Sequence, residues 1–276
     1  MAPRASGPLL ACGATVAAVL LATPALAGTA TLEPGQSPAT PRPSEPVRDA
    51  GAPVFIGSLY IWGTALTGRS STLPPLPETD IDISFSDVLK DFDGGIMGAT
   101  EMRAGRWSVI GDVLFTQVTP KGNLPGPASA DAKVRSRSLT LQADALYRFH
   151  QSEFLNLDAG AGLRFWYLDN KLTIDPGLLR NGVSHSESEY WVDPVIAGRV
   201  NARIAGPWSA TLVGDVGGFD VGSQLTWQFI GTLNYQWNED LSLRLGYRAL
   251  SVDYKQGDFL YDVRMQGPIV GVSYRF

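Results

Sequence analysis

The chain has 276 residues, of which 18% are charged, with a mean hydropathy near zero and a formal net charge of -5. That length fits one or two domains, and the acidic balance argues against a nucleic-acid partner, which needs a basic footprint. Sparse charge, 30 glycines and frequent aromatics also sit poorly with a soluble enzyme of this size. They fit a lipid-facing β-barrel better, because each strand has one apolar and one polar face and the mean hydropathy cancels.

Residues 1–27 read as a secretory signal peptide. Arg4 supplies a basic start, Leu9 to Leu21 an apolar core, and Ala25-Leu26-Ala27 a small-x-small cleavage site. The only cysteine, Cys12, lies in this segment, so no thiol chemistry is expected of the mature chain. Leu9-Leu10-Ala11-Cys12 faintly suggests a lipoprotein site, but the apolar core follows the cysteine instead of preceding it. Residues 28–52 hold Pro34, Pro38, Pro41, Pro43 and Pro46 among small polar residues and are expected to form an extended periplasmic linker. No later stretch reaches the ~18 apolar residues of a membrane helix. A membrane location therefore requires a barrel, expected over 53–276.

From Val54 onward the pattern has period two. Leu139, Leu141, Ala143, Ala145, Tyr147 and Phe149 oppose Thr140, Gln142, Asp144 and Arg148. The pattern returns over Leu155 to Tyr167. It is clearest over Gln224 to Trp237, where Leu225, Trp227, Phe229, Leu233, Tyr235 and Trp237 share a face. Such alternation marks strands, and these runs exceed the ~9–11 residues a tilted strand needs to cross a bilayer. Ten strands are predicted, near 54–66, 94–104, 107–118, 135–149, 153–170, 190–204, 208–219, 224–237, 241–254 and 261–276. The fold class is therefore all-β, a closed antiparallel transmembrane barrel of about ten strands (8–12).

The connections tend to alternate in length. Gly105-Arg106, His150 to Ser152, Ala205 to Pro207 and Asn238 to Asp240 read as tight turns. Segments 67–93, 119–134, 171–189, 220–223 and 255–260 read as the other set, mostly longer. Short turns belong on the periplasmic side and long loops outside, so an even strand number puts both termini in the periplasm. All five lysines (Lys90, Lys121, Lys133, Lys171 and Lys255) fall in the predicted outer loops or at strand ends. Two aromatic girdles are expected: Trp107, Phe149, Trp208 and Trp237 on the turn side, and Phe115, Tyr167, Trp191 and Trp227 on the loop side. Trp107-Ser108 before Asp112 and Trp208-Ser209 before Asp215 are alike, either through hairpin duplication or through convergence of two strands.

The closing alternation of Val270, Val272, Tyr274 and Phe276 resembles the C-terminal signature of outer-membrane barrels. Ile83 to Leu89, Gly105-Arg106-Trp107 and Leu245-Gly246-Tyr247-Arg248 resemble a family of uncharacterised small porin-like outer-membrane proteins. The resemblance spans roughly 54–276. It implies a cell outer-membrane location, outer-membrane lipid as surroundings, and the barrel assembly machinery as a partner through Val272, Tyr274 and Phe276. It carries over no catalytic residue.

Placing the apolar faces in lipid turns a set of charges inward: Glu101, Asp112, Asp144, Asp158, Asp193 and Asp215, with Arg103, Arg148, Arg164, Arg199, Arg203, Arg244, Arg248 and Arg275. Charges in a narrow lumen must be paired, and arginine does so bidentately. The set is read as an ionic core that fills the barrel, with a charged pore constriction as the alternative. Ile81 to Asp93 mixes apolar residues with Asp80, Asp82, Asp87, Asp91 and Asp93. It is expected to pack on the rim, with a plug as the alternative, and to include a short helix capped by Ser86. The aspartates lack the spacing of a calcium loop, and no metal or cofactor is expected. His150 and His185 are the only histidines. His185 stands in Ser184-His185-Ser186-Glu187, a composition that supports a surface hydrolase only weakly, because triads form between separate elements. The expected role is structural or surface interaction with a filled lumen, ahead of a narrow channel and then a hydrolase.

Overall fold

The computed structural model describes residues 53–73, 77–119, 121–124, 130–174 and 183–276. The expected signal peptide and linker lie outside the described residues. In chain order the elements are β1 (Val54–Trp62), β2 (Ala65–Ser71), β3 (Thr79–Ile83), α1 (Phe85–Lys90), β4 (Phe92–Ala104), β5 (Trp107–Val118) and β6 (Lys121–Leu124). They continue with β7 (Ala130–Gln151), β8 (Leu155–Ile174), β9 (Val183–Ala205), β10 (Trp208–Gly218), β11 (Leu225–Gln236), β12 (Leu241–Gln256) and β13 (Phe259–Arg275).

Ten strands close a ring in the order β1-β4-β5-β7-β8-β9-β10-β11-β12-β13, every neighbour pair antiparallel. Pairing of β1 with β13, from Ile56 opposite Arg275 to Trp62 opposite Ile269, shuts it. The Phe276 N–H donates to the Phe55 carbonyl at 2.9 Å, so the two ends of the barrel sequence meet at one rim. Closure leaves no edge within the ten-strand ring, which is the condition for a sheet to sit in hydrocarbon.

The polarity of the wall reverses along the barrel. On β13, Pro268, Val270, Val272, Tyr274 and Phe276 point outward. Toward the other end of the same strand the outward residues are Gln266, Arg264 and Asp262, while Met265, Val263 and Tyr261 turn inward and are buried. On β12 the outward set changes from Leu243, Leu245 and Tyr247 to Ser251, Asp253 and Lys255, and Leu250, Val252 and Tyr254 go inside. The apolar-outward part of β13 matches the ~9–11 residues of a tilted membrane crossing. Beyond it the wall is built like a soluble protein, with its apolar residues inside.

That reversal accounts for the departures from the expected strand map. Segment 67–93, read as a loop, contains most of β2 together with β3 and α1. β2 continues the path of β1 along the β13 edge and pairs with β3, so the expected rim segment becomes wall. Its Ile81 is buried among the interior apolar side chains. The helix is capped by Ser84, not Ser86: Ser84 Oγ accepts from the Asp87 N–H, and Asp87 also pairs with Lys90 at 2.7 Å. The hydrogen bond from Lys90 and the cap hydroxyl hold the Asp87 carboxyl below the usual carboxylate range.

β7, β8 and β9, at 22, 20 and 23 residues, take in the end of the expected loop 119–134 and much of 171–189. They stand well above β10 and β11, at 11 and 12 residues. Lys133 and Lys171 are therefore strand residues. The expected 255–260 loop is a two-residue turn at Gly257-Asp258.

Gly68 holds the added wall in place. Its φ is +142°, and a Cβ there would meet the Asp262 carbonyl oxygen at 2.1 Å, so only glycine lets β2 approach β13. Gly68→Ala should destabilise the β2–β3 extension by about 1–3 kcal/mol. Amide exchange should lose protection in β2 and β3 while the β4–β5 and β7–β8 pairs stay protected. Unchanged protection in β2 would count against this account.

Candidate functional site in the barrel interior

The interior has two stacked regions, and alternation in the strands sets both. Within the span, the polar inward side chains are held by arginines, with Ile110, Leu146 and Ile230 among them. Arg164, fully buried on β8, donates to Gln142 Oε1 from Nε at 3.1 Å and from Nη2 at 2.7 Å. It also donates to Thr226 Oγ1 at 2.8 Å and to Asp215 Oδ1 at 2.7 Å. Gln228 Nε2 donates to Asp215 Oδ2 at 3.0 Å, and Gln142 Nε2 donates to Asp144 Oδ2 at 2.8 Å. Opposite Asp144 stands Gly162, where a Cβ would lie 2.1 Å from Asp144 Oδ1; the missing side chain makes room for the carboxylate.

Gln228 also links this cluster to Arg248. Arg248 donates from Nε to Gln228 Oε1 at 2.9 Å, from Nη1 to the Tyr60 hydroxyl at 2.7 Å, and from Nη2 to Asp112 Oδ1 at 2.9 Å. Its guanidinium lies 4.9 Å from the Trp62 ring centre, a cation–π contact that helps hold a desolvated charge. Nearer the short turns, Arg199 bridges Glu101 at 2.7 Å and Asp158 at 2.6 Å. Arg148 holds the other Asp158 oxygen at 2.8 Å, and Arg103 holds Glu101 at 2.7 Å. Arg203, Arg244 and Arg275 stand at inward positions of the same end, as their registers with Ser209, Gly271 and Ile56 fix.

Asp193 departs from the expected arginine pairing. It is fully buried, and its oxygens accept from the Trp166 indole at 3.0 Å, the Trp191 indole at 3.2 Å, the Ser223 hydroxyl at 2.7 Å and the Ser223 N–H at 2.6 Å. Neutral donors thus hold a carboxylate that the sequence pattern assigns to the ion-pair set. Trp191 departs as well. Expected in the outer girdle, it is buried inside, stacked on Tyr254 at 3.8 Å and on Trp166 at 5.6 Å. Its neighbour Tyr190 faces outward and is 70% exposed.

These aromatics belong to the second region, an apolar core of Trp62, Trp166, Leu168, Trp191, Leu250, Tyr254, Tyr261, Met265 and their neighbours. It crosses the interior beyond the charged layers. Sequence reasoning missed it because it takes inward-facing residues to be polar throughout. The paired aromatics at matching inward positions of β8 and β9 (Trp166 opposite Trp191) were the available signal. A cavity of about 160 Å³ lies among Glu101, Asp144, Arg244, Arg248, Ile110 and Ile230.

The Ser184-His185-Ser186-Glu187 composition does not assemble as a triad. His185 lies on β9, and alternation puts Ser184 and Ser186 on the opposite face from it. Among the described residues no three acidic, histidine or cysteine side chains converge as a metal cage. Asp93 instead accepts from Gln117 and Thr119.

No family model matches the chain, and no curated protein matches it. Among solved structures, the outer membrane protease OmpT from Escherichia coli aligns at 9% identity and a TM-score of 0.43, over 81% of this chain and 97% of that one. Ail, the attachment invasion locus protein of Yersinia pestis, aligns at 14% identity and 0.30, over 81% and 98%. The P. putida toluene transporter TodX aligns at 10% identity and 0.30, over 83% and 90%. All three are outer-membrane barrels of different function. The chain's own ring closure and lipid-facing band make it an outer-membrane-type β-barrel.

Removing one partner of a buried ion pair strands the other and costs about 3–5 kcal/mol. Arg164→Met should lower barrel stability by that order in urea unfolding of the refolded protein. Arg164→Met combined with Asp215→Leu should recover part of the loss. Equal losses in the single and double variants would show that the pair is not the source.

Proposed function

We propose that this protein is an integral outer-membrane barrel with a closed lumen and a structural or surface-interaction role. On this reading its termini and short turns face the periplasm and the long β7–β9 strands stand outside the cell. The observation that carries the proposal is the apolar core. Trp62, Trp166 and Tyr261 are fully buried within the barrel, stacked above the Arg164 and Arg248 clusters. A conducting path would have to cross both regions, the first by wetting close-packed aromatics and the second by breaking buried ion pairs. The reading assigns the chain no reaction.

In planar bilayers the refolded protein should give no current steps above the lipid background. Steps in the unaltered protein that change on Arg244→Ala or Arg248→Ala would establish the channel reading instead.

The orientation is tested on intact cells. A cysteine at Asp258, in the β12–β13 turn, should react with a membrane-impermeant maleimide, and one at Arg106, in the β4–β5 turn, should not. The reverse pattern would invert the barrel.

The proposed assembly signal separates folding from delivery. Phe276→Ala should reduce insertion in cells severalfold while refolding in detergent stays close to that of the unaltered protein. Equal insertion would remove Phe276 from that role.

A further inference from the structure

The outer face of the β7–β9 arm carries a basic patch at one height. Lys133, Arg135 and Arg137 occupy alternate positions of β7, all exposed. Register sets Lys133 opposite Thr173, Arg135 opposite Lys171, and Arg137 opposite Asp169 on β8. β9 adds Ser184, Ser186 and Ser188 opposite Thr173, Lys171 and Asp169. Among the side chains described, four cations share this face with one acid, Asp169. Asp169 is already engaged, accepting from Ser188 Oγ at 2.9 Å and lying 3.8 Å from Arg137 Nη1.

Arg135 and Lys171 are like charges directly opposite each other on one face of the sheet. Among the described residues no acid lies within ion-pair distance of either. Such a pair destabilises a sheet by itself; an anion placed between the two removes the repulsion.

The position of the patch says which anion. Four residues nearer the membrane than Arg135, about 13 Å by strand geometry and just past the Arg137–Asp169 pair, Leu139 stands opposite Tyr167, which stands opposite Tyr190. These are the last outward apolar residues before the polarity of the wall reverses. A lipid whose phosphate sits on the patch thus has hydrocarbon within reach of its acyl chains, past the Arg137–Asp169 pair, whereas a soluble anion would gain nothing from that placement. The serine hydroxyls at the patch edge suit the remaining oxygens of a phosphate.

We infer that this face binds the phosphorylated headgroup of an outer-leaflet glycolipid, with one phosphate bridging Arg135 and Lys171 and the acyl chains lying on Leu139, Tyr167 and Tyr190. The inference rests on the barrel reading with the long strands outside the cell. The maleimide pattern tests that premise separately from lipid binding.

The test compares the refolded full-length protein with Arg135→Gln and Lys171→Gln variants. The probes are bisphosphorylated lipid A, its monophosphoryl form, phosphatidylglycerol vesicles and inorganic phosphate. In lipid-free detergent both variants should melt at or above the temperature of the unaltered protein, because the like-charge contact is gone. With bisphosphorylated lipid A the order should reverse, and the variants should bind it about tenfold or more weakly. Monophosphoryl lipid A should bind the unaltered protein more weakly than the bisphosphorylated form, and inorganic phosphate should leave its melting unchanged. Equal lipid A binding by all three proteins would overturn the inference. So would equal stabilisation of the unaltered protein by inorganic phosphate or by phosphatidylglycerol. Heat-modifiable electrophoretic mobility confirms that each variant is folded. Should one variant fail to fold, the other carries the comparison alone, because each removes one side of the bridge.

Discussion

The constraint on which the structure depends is a change of solvent along the barrel axis. Within hydrocarbon every backbone group must be paired inside the protein and every outward side chain must be apolar. Beyond the hydrocarbon the outside is water, and the same strands must turn their apolar residues inward. β13 passes from one regime to the other between Gln266 and Pro268, and β12 near Ala249. Ring closure answers the first demand, and the apolar core around Trp166 and Trp191 answers the second.

The two interior regions follow from the same change. Within the span the polar sides of the strands have nowhere to go except the lumen. There Arg164, Arg199 and Arg248 each collect several acceptors contributed by different strands. The clusters tie together strands far apart in sequence, and their directional bonds help set the register of the ring. Beyond the span the inward residues of β12 and β13 are apolar and pack with Trp62, Trp166 and Trp191 as in a soluble core. Asp193 sits at the junction. It is a carboxylate at the height of the aromatics, so the donors within reach are indole N–H groups and Ser223.

The outer surface records the boundary as well. The short-turn rim carries the outward aromatics Trp107, Trp208 and Trp237. Trp107 and Trp208 each follow a turn glycine and each contacts a tyrosine on the paired strand, at 5.1 and 4.9 Å. At the opposite boundary the belt ends at Tyr167 and Tyr190, and the basic positions of β7 and β8 begin. Interfacial aromatics with cations beyond them are what a membrane–water boundary selects.

Alternation and connection length were enough to specify a closed barrel of ten ring strands, because period two survives even where side chains are small. Alternation also specified which phase of each strand faces the lumen, placing Arg164, Asp215, Arg248 and Asp112 on one side of the wall. It did not specify partners: Arg164 stands in register with Asp193 yet bonds Asp215, a choice that depends on three-dimensional distance across the lumen. Nor did it reveal β2, β3 or the Ser84 cap. Those elements lie where the outside is water, so the rule that apolar residues face outward reverses there. A sequence read with one solvent in mind has no marker for that height. Only the folded ring, by bringing the polarity switches of neighbouring strands to a common level, shows where one solvent ends and the other begins.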